Sequence, residues 1–141
     1  KNLQSLNLTK GNVESLVGIE QLASLASIEL NYLRNLTDVS LLSKLESLRE
    51  IEIESSPKIR NSETIFGNTE LTVLKLINAG TLKSLSGIEK CSDLYFLNLH
   101  KTLVEDENLL PLTKLNNLKD IKLDNKKGYS HKLSELEEIL F

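Results

Sequence analysis

The chain of 141 residues has no methionine, no tryptophan, one cysteine and two prolines, and only 4% of it is aromatic. Each scarcity excludes something. A single cysteine, Cys91, rules out an internal disulfide framework. With so few rings, a core drawn from the 40% hydrophobic residues must be aliphatic. No run of 18 apolar residues occurs, so no segment reads as a membrane-spanning helix. Charge of neither sign dominates. Lysine and arginine number 17 against 20 acidic residues, and the net charge of −3 gives no basic footprint for nucleic acid.

Motifs that carry chemistry are equally scarce. There is no glycine-rich phosphate loop and no HExxH, CxxC or GxSxG pattern. His100 and His131 stand far apart, without metal-ligand spacing. The acidic cluster Glu105-Asp106-Glu107 lacks the alternation and glycine of a calcium loop. Serines abound, but nothing positions one beside a histidine and an aspartate. The reading is a non-enzymatic chain with no cofactor and no metal site. Because it starts at Lys1 and contains no methionine, it reads as a processed or excised piece, with a cap or further repeats expected upstream.

What is present is a repeat. The pattern Leu-x-x-Leu/Ile-x-Leu/Ile occurs six times: Leu3-Leu6-Leu8, Leu25-Ile28-Leu30, Leu48-Ile51-Ile53, Leu71-Leu74-Leu76, Leu94-Leu97-Leu99 and Leu118-Ile121-Leu123. Successive first members are 22, 23, 23, 23 and 24 residues apart. The last two positions of each pattern have period two, so they leave one face of a short strand. The remainder of each unit must return to start the next strand alongside. Its apolar positions recur every three residues, as Val13, Leu16, Ile19 and Leu22, again as Leu36, Val39, Leu42 and Leu45, and again as Leu82, Leu85, Ile88 and Cys91. That spacing suits 3-10 or helical turns. No unit buries this much aliphatic surface alone, so the units must stack. Cys91 stands where other units have Leu22 and Leu45, and reads as a small buried apolar residue rather than a nucleophile.

The rhythm divides the chain into an array over residues 1–129, with repeats starting near 3, 25, 48, 71, 94 and 118, and a C-terminal amphipathic capping helix over 130–141. Leu133, Leu136, Ile139 and Leu140 are expected on its apolar face. Either Ser134, at capping-box spacing from Glu137, or Ser130 is its N-cap. The helix reads as a lid on the last coil, the other reading being a partner-binding helix. In the third unit, Ser55 to Ser62 breaks the leucine rhythm and is expected to be a loop or looser coil. Glu105-Asp106-Glu107 expands the fifth unit as a solvated loop.

The unit Leu3 to Ser24, LQSLNLTKGNVESLVGIEQLAS, resembles the 22-residue leucine-rich repeat of bacterial internalins and of the regulatory subunit of type-1 protein phosphatase. Gly18-Ile19-Glu20, recurring as Gly87-Ile88-Glu89, is similar to the "GLE" or "GIE" turns of that subclass. A second likeness is to the 23-residue repeats of bacterial surface proteins with Phe and Cys in the return segment, through Ile65-Phe66 and Cys91. The resemblance spans residues 2 to about 125. It implies an α/β fold: a right-handed leucine-rich-repeat solenoid of about six repeats, with a parallel concave sheet, short 3-10 or helical convex segments, and a protein ligand on the concave side. The sequence departs from the subclass at one place. Eight residues after the first leucine the family carries asparagine, and here that position holds Gly11, Leu33, Ser56, Ala79, Thr102 and Lys126. The turns after the strands must therefore satisfy their polar groups by other means.

Alternation also assigns the open sheet face. Three rows are expected: Ser5, Ser27, Glu50, Val73, Phe96, Asp120; then Asn7, Glu29, Glu52, Lys75, Asn98, Lys122; then Thr9, Asn31, Glu54, Ile77, His100, Asp124. Glu50, Glu52 and Glu54 leave one strand with Glu29 beside them, and Val73, Ile77 and Phe96 form an apolar island around Lys75. Such an island is either a contact centre or lies under another segment. Taken as a contact centre with Asn98 and His100, it predicts a protein partner with a basic and an apolar patch, bound by a monomer. The internalin resemblance implies a secreted or cell-surface module. The phosphatase-regulator resemblance implies instead a cytoplasmic adaptor or enzyme-regulatory subunit, and a spacer presenting another domain is the third reading.

Overall fold

The computed structural model describes residues 2–141. Every repeat opens with a strand: β1 (Ser5–Thr9), β2 (Ser27–Asn31), β3 (Glu50–Glu54), β4 (Val73–Ile77), β6 (Phe96–Asn98) and β8 (Asp120–Lys122). These six pair in parallel in the order β1-β2-β3-β4-β6-β8. Two further short strands, β5 (Thr81–Leu82) and β7 (Leu103–Val104), pair with each other where coils four and five leave the main sheet. No periodicity announced them.

The return segments turn as 3-10 helices at Ile19–Gln21, Ser40–Lys44, Ser62–Gly67, Ile88–Lys90 and Leu110–Lys114. Their three-residue period matches the apolar spacing, so Leu16, Ile19, Leu42, Ile65, Ile88 and Leu112 all point into the core. The glycine-isoleucine-glutamate turns have a physical reason. Gly18 and Gly87 sit at φ of 100° and 99°, a region that a Cβ disfavours, and the glutamate two residues on accepts the glycine N–H, at 2.6 Å from Glu20 and 3.0 Å from Glu89.

Burial depends on having a neighbour. Leu25 and Leu30 are fully buried between coils, whereas their first-coil counterparts Leu3, at 42% exposure, and half-buried Leu8 lie open on one side. Each leucine sealed by the next coil contributes roughly 1.5–3 kcal/mol. Cys91 belongs to this core. Burial, and then Glu89, pushes its thiol up to about 11, which keeps it neutral.

The strand exits carry a feature that composition conceals. Lys10, Tyr32, Ser55, Asn78 and Lys101, each seven residues after a first leucine, have φ between 50° and 59°. This left-handed conformation costs a non-glycine residue roughly 1–2 kcal/mol. It turns the backbone so that Lys10, Tyr32, Ser55 and Asn78 donate their N–H to the next coil, at 3.0, 2.9, 2.9 and 3.0 Å from the carbonyls of Asn31, Glu54, Ile77 and His100. At the following position a hydroxyl in every second coil does what an asparagine would do. Ser56 Oγ accepts the Leu33 N–H at 3.1 Å and donates to the Glu54 carbonyl at 3.2 Å. Thr102 Oγ1 accepts the Ala79 N–H at 3.0 Å and donates to the Leu76 carbonyl at 2.7 Å. Both hydroxyl residues are buried, as are the apolar Leu33 and Ala79 that alternate with them.

One expectation holds and another needs correction. Residues 55–61 form a loop without strand or helix, and it is tightly held: Ile59 is buried, the Arg60 N–H reaches the Thr37 carbonyl at 2.9 Å, and Ser62 Oγ donates to the Ala79 carbonyl at 3.2 Å. Buried hydroxyls and a proline turn replace the missing leucines. The C-terminal helix, α1 (Leu133–Leu140), starts later than expected, and neither serine caps it. Glu135 accepts the Lys132 N–H at 2.7 Å and Asn125 accepts that of Leu133 at 2.8 Å, while Ser130 Oγ instead accepts the Leu109 N–H at 2.8 Å. Leu133, Leu136 and Leu140 pack on the core, but Ile139 stands 55% exposed because it falls off that three-and-four-residue stripe.

Two stability predictions follow from these contacts. Thr102→Val keeps the shape but strands the Ala79 N–H, and should lower the urea-unfolding free energy by about 1–3 kcal/mol, whereas the same change at exposed Thr69 should leave it within about 0.5 kcal/mol. Hydrogen bonds from Asn61 and Ser40 lower the Asp38 carboxyl from 3.8 to about 2. Since the folded value is depressed, the stability it confers is complete above pH 3.8 and fades toward pH 2. Denaturation of Asp38→Asn across that range should give a melting-temperature gap to the wild type that closes on acidification.

Candidate functional site

Strand pairing brings the first two rows of the open sheet face together as alternation predicts. Glu50 pairs with Val73, Val73 with Phe96, Glu29 with Glu52, Glu52 with Lys75, and Lys75 with Asn98. The third row holds from Thr9 to Ile77 and then leaves the sheet, because β6 and β8 end at Asn98 and Lys122. His100 and Asp124 therefore lie in the turns beyond, not on the sheet.

The acidic side is graded. Glu50 is exposed, and Glu29, Glu52 and Glu54 are half-buried. Asn7 Nδ2 donates to Glu29 at 3.2 Å, and Lys75 Nζ lies 3.4 Å from Glu52 Oε1. That ion pair is about one-third exposed, so its net worth is at most about 1 kcal/mol. Its larger effect is positional. The same ammonium sits 5.5 Å from the centre of the Phe96 ring, so Lys75 ties the acidic strand to the apolar one.

The apolar island is smaller than alternation suggested. Val73 is only 9% exposed, lying between its cross-strand neighbours Glu50 and Phe96, and forms the floor. Phe96 and Ile77, both half-buried, supply the contact surface. Asn98 uses its amide oxygen to accept the His100 N–H at 2.9 Å, which stiffens the turn. His100 is engaged as well: its Nδ1 lies 2.6 Å from Asp124, which also accepts the Lys101 N–H at 2.8 Å. Burial pushes the Asp124 carboxyl up, but the hydrogen bonds from Lys101 and His100 outweigh it and hold the pKa below the usual value. Asn98 and His100 thus frame the island with one polar atom of each side chain engaged in the turn.

Among the described residues no three His, Cys, Asp or Glu side chains gather as a metal site, and no helix is long and apolar enough to cross a membrane. The face is a shaped surface with one aromatic group, one shared cation and four carboxylates. Those groups offer apolar contact, ion pairing and hydrogen bonding.

No family model matches the chain. Human leucine-rich repeat-containing protein 36 is similar to it, with 32% identity over 103 residues covering 70% of this chain and 13% of that protein. The chain thus spans about an eighth of the curated relative it matches. Among solved structures, an internalin (inlF) from Listeria monocytogenes superposes with a TM-score of 0.73 at 24% identity, over 84% of this chain and 34% of that one. Internalin C2 of the same species superposes at 0.69 and 20% identity, over 89% of this chain and 55% of that one. At these identities the internalin likeness establishes the fold alone.

Neighbouring residues on β6 test the assignment of faces. Leu97 is fully buried, and Leu97→Ala should cost about 2–5 kcal/mol in chemical denaturation. Half-buried Phe96, one residue earlier on the other face, should cost far less on the same substitution. Equal losses would mean that the two faces are wrongly assigned.

Proposed function

The chain belongs to the leucine-rich-repeat family, and on that premise we propose that it is a non-enzymatic module that binds a partner protein on the open face of its sheet. One observation carries the reading: Phe96 lies outward on β6, the last strand but one of the sheet, with Lys75 across its ring and Glu52 beyond. An exposed sheet position is ordinarily polar, and an aromatic ring rimmed by charge is the make-up of an interface hot spot. The partner offers an apolar side chain to Phe96 and Ile77, and basic groups to Glu29, Glu50 and Glu54. The protein acts as a monomer. The C-terminal segment 130–141, through helix α1, closes the last coil of the array, a reading supported by the full burial of Leu136.

A secreted or cell-surface setting accords with the internalin fold likeness, and makes the chain part of a larger bacterial protein. The intracellular alternative, an adaptor or enzyme-regulatory subunit, draws its support from the likeness to a human protein.

Panning a displayed peptide library against the wild-type protein tests the reading. Binders of the open face should be rich in basic and apolar residues. They should lose at least about tenfold in affinity with Phe96→Ala, and weaken with Glu52→Lys, while Leu110→Ala on the far side leaves them unchanged. Binders indifferent to Phe96 would overturn the placement of the site.

A further inference from the structure

The strand-exit edge of coils two to four holds two adjoining clefts. A cleft of about 530 Å³ there is walled by Tyr32, Arg34 and Lys58, and a second of about 390 Å³ continues from Lys58 to Arg60 and Lys83. The two share Pro57 and Lys58, so they adjoin each other across successive coils as a two-part groove. All four cations are exposed, and among the described residues none has a carboxylate within ion-pair distance. Glu105, at the far end, is the acidic residue of the lining, while Asp38 lies within electrostatic reach of Arg60 and Glu63 accepts the Lys83 N–H at 3.1 Å from outside it. Tyr32, 42% exposed, adds an aromatic wall beside the first cation.

We propose that this groove binds an acidic peptide segment of a partner protein, in extended form. Charge complementarity names the ligand. Four cations without an ion pair line the two clefts on a chain whose net charge is −3, so the positive charge there is a local excess. Coils stack about 4.8 Å apart, so cations on three successive coils span a few residues of an extended chain. Acidic neighbours on the sheet disfavour nucleic acid. Glu50, Glu52 and Glu54 lie on the adjoining strand and repel a polyanion that continues past the groove, whereas a short acidic segment ends before reaching them. The wall is pre-organised. Tyr32, Ser55 and Asn78 line the first cleft in left-handed conformations fixed by hydrogen bonds to the next coil, so binding orders little backbone.

The surface is separate from the open sheet face, and the test separates them too. The probe is a fluorescein-labelled hexaglutamate peptide, with hexalysine and a thymidine hexanucleotide as comparators, read by fluorescence anisotropy on the whole chain. Saturable binding of hexaglutamate is expected, fading toward ~0.5 M salt as screening predicts. The double variant Arg34→Glu with Arg60→Glu should weaken it at least about tenfold, while Phe96→Ala and the far-side Lys114→Glu leave it unchanged. Unaltered melting temperatures show that the variants are folded. Binding that survives the double charge reversal, or an equal affinity for hexalysine, would overturn the proposal. So would tighter, Arg34- and Arg60-dependent binding of the oligonucleotide, which assigns the groove to nucleic acid. Self-association by sedimentation that the double variant abolishes would overturn it in favour of a second copy's acidic α1.

Discussion

Everything in this molecule depends on one coil lying against the next. A single unit has a strand of a few residues and a 3-10 turn, and buries nothing by itself. Leu8 and Leu30 hold the same register position, and one is half-open while the other is sealed, the difference being a coil on each side. Stacking also serves the backbone. The N–H groups of Lys10, Tyr32, Ser55 and Asn78 find acceptors only on the following coil, and Leu33 and Ala79 find them on hydroxyls 23 residues away. Apolar burial drives the stack, and these polar links set its register.

The fold was legible because it rests on a period. Leucines at near-constant spacing report sheet and core directly, since each must point inward in its own coil. The strand-exit turns were not legible for the converse reason. Lys, Tyr, Ser and Asn share no propensity that marks a left-handed residue as glycine would; the geometry of the coil imposes it and the inter-coil hydrogen bonds repay the strain. The hydroxyl positions fall between the two cases. Ser56 and Thr102 stand in the register of the absent asparagine and are visible in the sequence, but only the structure reveals that one hydroxyl serves two coils. Ser130 illustrates the limit of local reading. It has the chemistry of a helix cap and is used instead to hold the Leu109 backbone.

The candidate site divides along the same line. Rows on a strand follow from strict alternation, which is why Glu29, Glu50, Glu52, Lys75 and Phe96 fall where the pattern puts them. Alternation fails where strands shorten. His100 leaves the sheet after Asn98, and its exposed ring lies against Asp124 in the turn beyond. It also says nothing about depth, so Val73 looks like its neighbours in sequence and is nearly buried in fact. The basic edge was invisible because Arg34, Lys58, Arg60 and Lys83 lie in turns, at different offsets from their leucines, and only the stacking brings them together.

The two charged surfaces limit what a single partner can do. The sheet face presents Glu29, Glu50, Glu52 and Glu54 against Lys75, while the neighbouring edge presents four cations against Glu105. A uniformly basic partner is drawn to the face and repelled by the edge, and an acidic one the reverse. A ligand that engages both must itself be charged in two blocks, a basic and apolar part over Phe96 and an acidic strand along the edge. Because the net charge is nearly cancelled between the surfaces, long-range attraction is weak and orientation comes at close range, where like charges in the wrong alignment repel. For any ligand that spanned both surfaces, this arrangement would favour selectivity over rapid capture.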